Sequence, residues 1–328
     1  MQNNPRIALQ WMEQTRIGMY PASGGRGAAM KRKTNRRPPL LRDISWSRLA
    51  EMFGNPRPPL SISEQQFDYC DAELRLLASQ PYLSMDLSKL GYYYADLAFV
   101  ELQPDLFDYL FPACLMDWHR SLADNRPCGG GTAEIHFAVS YGQVFRKMLS
   151  PDRLLAVRNF LLDSFLARLD AETRLFDIQN AAPSWCWIRR INSLARIVDL
   201  TELWEQWWSL GTPGRAIAAI QYVSALLYFD DENPLFPAEL TPVLWSHDSQ
   251  IHHAGWLPAN GEFLSQSFTA EFVKRKIQEA VAMLPAGQER EKARQLLTDL
   301  PAQEELLDHR IAELPGQLLS PDPAEWTV

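Results

Sequence analysis

Cysteine is scarce. Four cysteines in 328 residues, none within a Cys-x-x-Cys, argue against a disulfide framework and against a zinc module. Cys70, Cys114, Cys128 and Cys186 read instead as reduced thiols. Long apolar runs are missing too, and none approaches the length needed to span a bilayer. No charged-then-apolar segment at the start resembles a secretory signal. The expectation is a cytoplasmic protein without a membrane partner. Signature motifs of catalysis are also lacking. There is no Gly-Lys-Ser/Thr and no G-x-S-x-G. Gly129, Gly130 and Gly131 therefore read as a flexible loop rather than a phosphate cradle. No cofactor is expected.

Charge is present in quantity but unevenly placed. Residues 1–42 carry nine Lys/Arg against Glu13, a net of +8, so the 23 basic and 39 acidic residues that follow leave 43–328 at −16. Segment 1–42 reads as a basic, flexible N-terminal arm, with Ile7, Leu9, Trp11 and Met12 able to pin part of it. A body so acidic is not built to hold nucleic acid by its phosphates. It suits a basic protein, which it would attract from a distance.

Apolar periodicity predicts an all-α fold, an irregular bundle of about 10–14 short helices. Residues 43–328 read as a single acidic domain, with 125–131 as the candidate joint between two lobes. The organising stretch is 92–122, YYYADLAFVELQPDLFDYLFPACLMDWHRSL. Leu106, Phe107, Leu110, Phe111, Cys114, Leu115, Trp118 and Leu122 recur at helical steps, Pro104 fits the first helical position, and Pro112 predicts a kink or break. Residues 92–102 are read as helix as well.

Start and stop signals place the other elements. A helix is expected over 45–53, ended by Gly54, Asn55 and Pro56; Arg57, Pro58 and Pro59 form a stiff connector. Ser61 to Glu64 supply a capping box, with Phe67, Cys70, Leu74 and Leu77 beyond it. Residues 132–149 are read as helix. Ser150 and Pro151 start a firm helix through Leu169. Trp185 and Trp187 begin a Trp-rich helix, Thr201 is expected to cap the next, and Thr212-Pro213 opens another. Pro234, Pro237, Pro242 and Pro258 exclude one long helix across their span. Helices are expected over 269–284, 288–300 and 302–314.

Two clusters carry candidate chemistry. His247, Asp248, His252 and His253 offer imidazole and carboxylate ligands for a divalent metal, as in metal-dependent phosphohydrolases of the HD type. Asp230, Asp231 and Glu232 form an acidic turn that lacks the alternate ligands and closing Glu of an EF-hand; a solvated turn or a contact for a basic partner is more economical. Trp204, Trp207 and Trp208 are expected mainly in the core, with Trp207 and Trp208 as candidate anchors for a partner.

The 92–122 stretch together with the Trp-rich helices resembles cytoplasmic immunity proteins of bacterial polymorphic toxin systems, such as those beside Rhs-type secreted toxins. The resemblance implies a protein that binds one toxin domain and blocks its active site. The implied partner is a cognate basic toxin domain, with Asp230, Asp231, Glu232, Trp207 and Trp208 as candidate contact residues. A metal-dependent hydrolase and a helical scaffold remain the alternatives.

Overall fold

Ser45 opens the first helix, α1 (Trp46–Met52). Its backbone is extended and its hydroxyl accepts from the Arg48 N–H at 3.3 Å. The computed structural model describes residues 44–63, 68–97, 103–123, 147–175, 194–195, 197–227, 257–302, 304–305 and 307–309. Among them are ten α-helices, two short 3-10 turns and no strand. α1 stops where the sequence predicts, because Gly54 (φ 75°) and Asn55 (φ 54°) both turn left-handed, a region glycine and asparagine tolerate. The arm at 1–42 and the joint at 125–131 lie outside the described residues.

Helix α2 (Asp68–Ser79) buries Leu74, Leu77 and Ala78. Glu64 of the expected capping box lies outside the described residues, and the Ser63 N–H donates to Gln103 Oε1 at 2.8 Å. Turns at Tyr82–Ser84 and Leu87–Lys89 lead into α3 (Leu90–Leu97). Only the first part of the helix expected over 92–102 is therefore described.

Helix α4 (Pro104–Ala123) is the centre of the N-terminal half. Leu106 and Phe107, then every residue from Tyr109 to His119, are buried, so the helix is covered almost all round rather than along one broad face. Of the kink or break expected at Pro112, the break does not occur, because α4 is continuous through it. A mid-helix proline costs about 3 kcal/mol. Burial of each Phe or Leu around it contributes about 1.5–3 kcal/mol, and several such residues outweigh that loss.

Helix α5 (Pro151–Asp170) starts at Ser150, whose hydroxyl accepts from Arg153 N–H. Val157, Phe160, Leu161, Phe165 and Leu169 point inward as predicted, while Leu155 is exposed. Arg153 ties three helices together. Its Nη1 donates to both Asp108 oxygens on α4 (3.0 and 3.2 Å), its Nη2 donates to the Phe53 carbonyl at the end of α1 (3.2 Å), and its guanidinium lies over the Phe53 ring. The 132–149 helix is described only at its end.

Helix α5 packs against α1 and α4 on one side and against α6 (Leu200–Trp208) and α7 (Pro213–Leu227) on the other. Thr212 and Pro213 open α7 as expected, with Arg215 N–H reaching Thr212 Oγ1. Gln221 Nε2 on α7 donates to the carbonyls of Arg174 and Leu175, fixing the chain that leaves α5. Helix α8 (Pro258–Ser267) was not foreseen in the proline-rich region. It packs on α6, followed by α9 (Ala270–Met283), capped by Thr269, and α10 (Gln288–Asp299). Positions 304–305 and 307–309 are helical within the segment expected over 302–314. The buried apolar residues of all these helices form one connected core.

Candidate functional site

Of the contact residues read from the sequence, Asp230, Asp231 and Glu232 lie outside the described residues, as do His247, Asp248, His252 and His253. Trp207 and Trp208 are described, on α6. This helix starts at Asp199 rather than Thr201: Asp199 has extended backbone and its Oδ1 accepts from the Thr201 N–H at 2.8 Å. Leu200, Leu203, Trp204, Trp207 and Trp208 then follow at steps of three and one, which places all five on one face. All five are buried.

As partner anchors, Trp207 and Trp208 need correction. They are 0% and 2% exposed, and a partner cannot reach them in this conformation. The helical period explains why, since the face that carries them is the face turned to the core. Together with Trp204 they meet Phe165, Tyr222, Phe268 and Phe272 edge-to-face or tilted, at centroid distances of 5.2–6.0 Å. The Trp207 indole N–H donates to the Arg215 carbonyl at 3.1 Å, joining α6 to α7. Among the described residues the indole nitrogens of Trp204 and Trp208 have no hydrogen-bond acceptor. The core role that the sequence assigns to these tryptophans is the one they occupy.

The opposite face of α6 is acidic. Asp199, Glu202 and Glu205 are exposed, and among the described residues none of them forms an ion pair. Glu202 accepts a 3.3 Å hydrogen bond from Gln206. Acids in the first turn complement the positive end of the helix dipole, which accounts for Asp199 and Glu202. Glu205 lies further in and has no such role. Some acids elsewhere are neutralised locally, whereas Asp152 and Asp163 on α5 are, like those of α6, exposed and without an ion pair among the described residues. On α9 and α10, Lys276 pairs with Glu279, Arg294 with Glu291, and Lys274 with Glu304. The uncompensated charge on α6 is a property of that face, not of every helix surface in the protein.

A row of polar residues that the sequence reading did not single out is buried along α5 and just past its end. Ser164, Arg168 and Glu172 succeed one another at four-residue steps, and Arg168 and Glu172 form an ion pair in which both side chains are buried. Ser164 Oγ lies 3.0 Å from His119 Nδ1 on α4. Hydroxyl beside imidazole is the arrangement of a nucleophile and its base. Here the two groups are 3% and 4% exposed, with Phe160 beside the imidazole, so no substrate reaches them in this conformation. The pair joins two helices. The signal for the row was polar residues at i, i+4 and i+8 inside an apolar stripe; the His119 contact, 45 residues away, left no local trace.

Among the described residues no cluster of three His, Cys, Asp or Glu side chains is arranged to hold a metal ion. Cys114 is buried in the core. No helix among the described residues is long and apolar enough to cross a membrane. Compared with known proteins, the chain matches no family model, no curated protein and no solved structure.

Proposed function

We propose that this chain is an immunity-type protein that binds a basic toxin domain and occludes its active site. The observation that carries the reading is the exposed face of α6, where Asp199, Glu202 and Glu205 stand without counter-cations on a body of net charge −16. Opposite net charge speeds encounter, and the attraction is screened over about 8–10 Å at ordinary salt. Asp230, Asp231 and Glu232 would add to the same long-range attraction. Affinity would rest on apolar anchors other than Trp207 and Trp208, because rim charges contribute little net energy.

The direct test is co-purification of the untagged full-length chain from its source cells, followed by reconstitution with whatever protein accompanies it. A single basic domain whose activity disappears at one-to-one stoichiometry is the expected result. An acidic partner, or a basic one that stays active in the complex, would overturn the reading. Metal analysis of the same preparation bears on the hydrolase alternative, since a stoichiometric divalent metal would favour His247, Asp248, His252 and His253 as ligands.

A further inference from the structure

The connector between α1 and α2 is anchored at both ends and bare in between. At its start, the Gly54 N–H returns to the Glu51 carbonyl (3.0 Å) and the Asn55 N–H to the Ala50 carbonyl (2.8 Å), while Arg153 holds the Phe53 carbonyl. At its end, Ser63 N–H is held by Gln103 Oε1, and Ile62 packs on the core. Between these anchors stand Pro56, Arg57, Pro58, Pro59 and Leu60. Ring closure fixes φ near −65° at each proline, and Arg57 and Pro58, each preceding a proline, are kept out of the α region. Covalent geometry alone therefore keeps Arg57 and Pro58 extended, in the β or polyproline II region.

Pro56 and Pro59 are half-buried, and the side chains between and beyond them are presented to solvent. Arg57 and Pro58 are exposed, Arg57 makes no ion pair among the described residues, and Leu60 is 105% exposed, the most exposed of the large apolar residues described. An apolar side chain standing fully in water at the tip of a pinned, stiff segment contributes nothing to the core. The four residues Arg-Pro-Pro-Leu also occur a second time in the sequence, at Arg37, Pro38, Pro39 and Leu40.

We propose that residues 56–60 are a docking ligand for a partner domain with an aromatic-lined polyproline groove and an acidic rim, of the SH3 type. Pro56 and Pro59 have the P-x-x-P spacing that such grooves accept. Arg57 supplies the charge for the rim, and Leu60 an apolar contact beyond it. Because the segment is already ordered, little conformational entropy is lost when it docks. This partner differs from the basic domain proposed above. It meets a cationic, proline-rich element rather than the acidic face of α6, so the two readings fail independently.

The test titrates the full-length chain against a panel of purified SH3 domains with acidic-rimmed grooves, by isothermal calorimetry. At least one domain is expected to bind, and binding should fall about tenfold or more in the Pro58→Ala/Pro59→Ala variant. The Pro38→Ala/Pro39→Ala variant should retain affinity to within about twofold. Arg57→Glu and Leu60→Ser, at side chains exposed to solvent, provide a second pair of variants should the proline substitutions lower the thermal transition, and each should weaken binding about fivefold. Absence of binding across the panel, binding that survives both sets of substitutions, or loss confined to the 38/39 variant would overturn the proposal.

Discussion

Gly214 offers the sharpest test of the packing. It is the second residue of α7, and by local rules alanine should be the better residue there. Helix propensity favours Ala over Gly by about 1 kcal/mol, and reduced freedom of the unfolded chain adds about 0.4–1 kcal/mol. The structure reverses that sign. A Cβ on Gly214 would fall 2.4 Å from the Leu169 carbonyl oxygen, 2.6 Å from the Asp170 carbonyl oxygen and 2.7 Å from the Asp170 carbonyl carbon. Non-bonded carbon contacts are most favourable at about 3.5–4 Å, so α7 would have to retreat by roughly 1 Å. All three atoms are backbone at the end of α5, and no side-chain rotamer can relieve the clash.

Retreat would also stretch the joint beside it. Arg215 grips Asp170 with two hydrogen bonds, Nε to Oδ1 at 2.7 Å and Nη2 to Oδ2 at 3.1 Å, and Thr212 Oγ1 donates to the same Oδ1 at 2.7 Å. Overpacking typically costs about 1–3 kcal/mol and a weakened charge-assisted hydrogen bond about 1.5–3 kcal/mol. Against the propensity gain, Gly214→Ala should lose about 2–4 kcal/mol. Urea denaturation of the full chain, followed by circular dichroism, measures it. Gly91→Ala on α3 is the control, since a Cβ there meets nothing within 4 Å, and it should match or exceed the parent chain. A Gly214→Ala midpoint at or above that of the parent would refute the close approach of α7 to α5.

Three further outcomes are expected. Asn260→Ala should destabilise by about 2–4 kcal/mol in the same assay, because Asn260 Oδ1 accepts from the Leu200 N–H (2.9 Å) while Nδ2 donates to the carbonyls of Ala195 (2.7 Å) and Val198 (2.9 Å), all at a buried site. Burial pushes the Tyr222 phenol up, and burial with Tyr109 and Asp108 nearby does the same for Tyr82. Their contribution to stability is full below the unfolded value of about 10 and is lost as pH rises above it, so two of the ten tyrosines should yield phenolate absorbance only as the chain unfolds. Replacing Glu202 and Glu205 by Gln, together with Asp230, Asp231 and Glu232 by Asn, Asn and Gln, should slow association with a basic partner by about three- to tenfold and flatten its salt dependence, with dissociation unchanged. Stopped-flow mixing at two salt concentrations decides that point, and unchanged association would place both groups outside the encounter surface.

What was legible in the sequence is what local chemistry controls. Ser150 caps the helix it was expected to cap, and Ser45 and Thr269, expected as the first residues of their helices, are the caps of those helices, since a hydroxyl reaching an N–H three residues on needs no distant partner. The cap of α6 shifted to Asp199 because two cap-forming side chains compete within two residues, and the carboxylate is the one that reaches. Helix α8 was missed because prolines dominate the stretch before it, and Asn260 and Gly261 weaken its own propensity. What anchors its start is Asn260 gripping chain more than fifty residues away, a contact no window of sequence displays. The unbroken course of α4 through Pro112 is likewise a tertiary effect. The acidic face of α6 was present in the sequence as Asp199, Glu202 and Glu205, but the tryptophans between them drew attention to the side that turned out to be core.

That division of labour within α6 bears on where function can reside. A nine-residue helix is too short to be stable alone in water. Like charges at three-residue spacing oppose it further, by a few tenths of a kcal/mol for each pair. The helix exists because Trp204, Trp207 and Trp208 are locked among Tyr222, Phe268, Phe272 and Phe165; truncating one such buried aromatic typically costs about 3–5 kcal/mol. Packing thus dictates the inward face and leaves the outward one free. Asp199 and Glu202 can be understood from the helix dipole, but Glu205 answers to no interaction within the fold. A substitution at Trp207 would therefore disturb partner binding only by releasing α6, lowering stability and association together. One at Glu205 should alter association while leaving stability untouched, and that separation distinguishes a binding face from a merely solvated one.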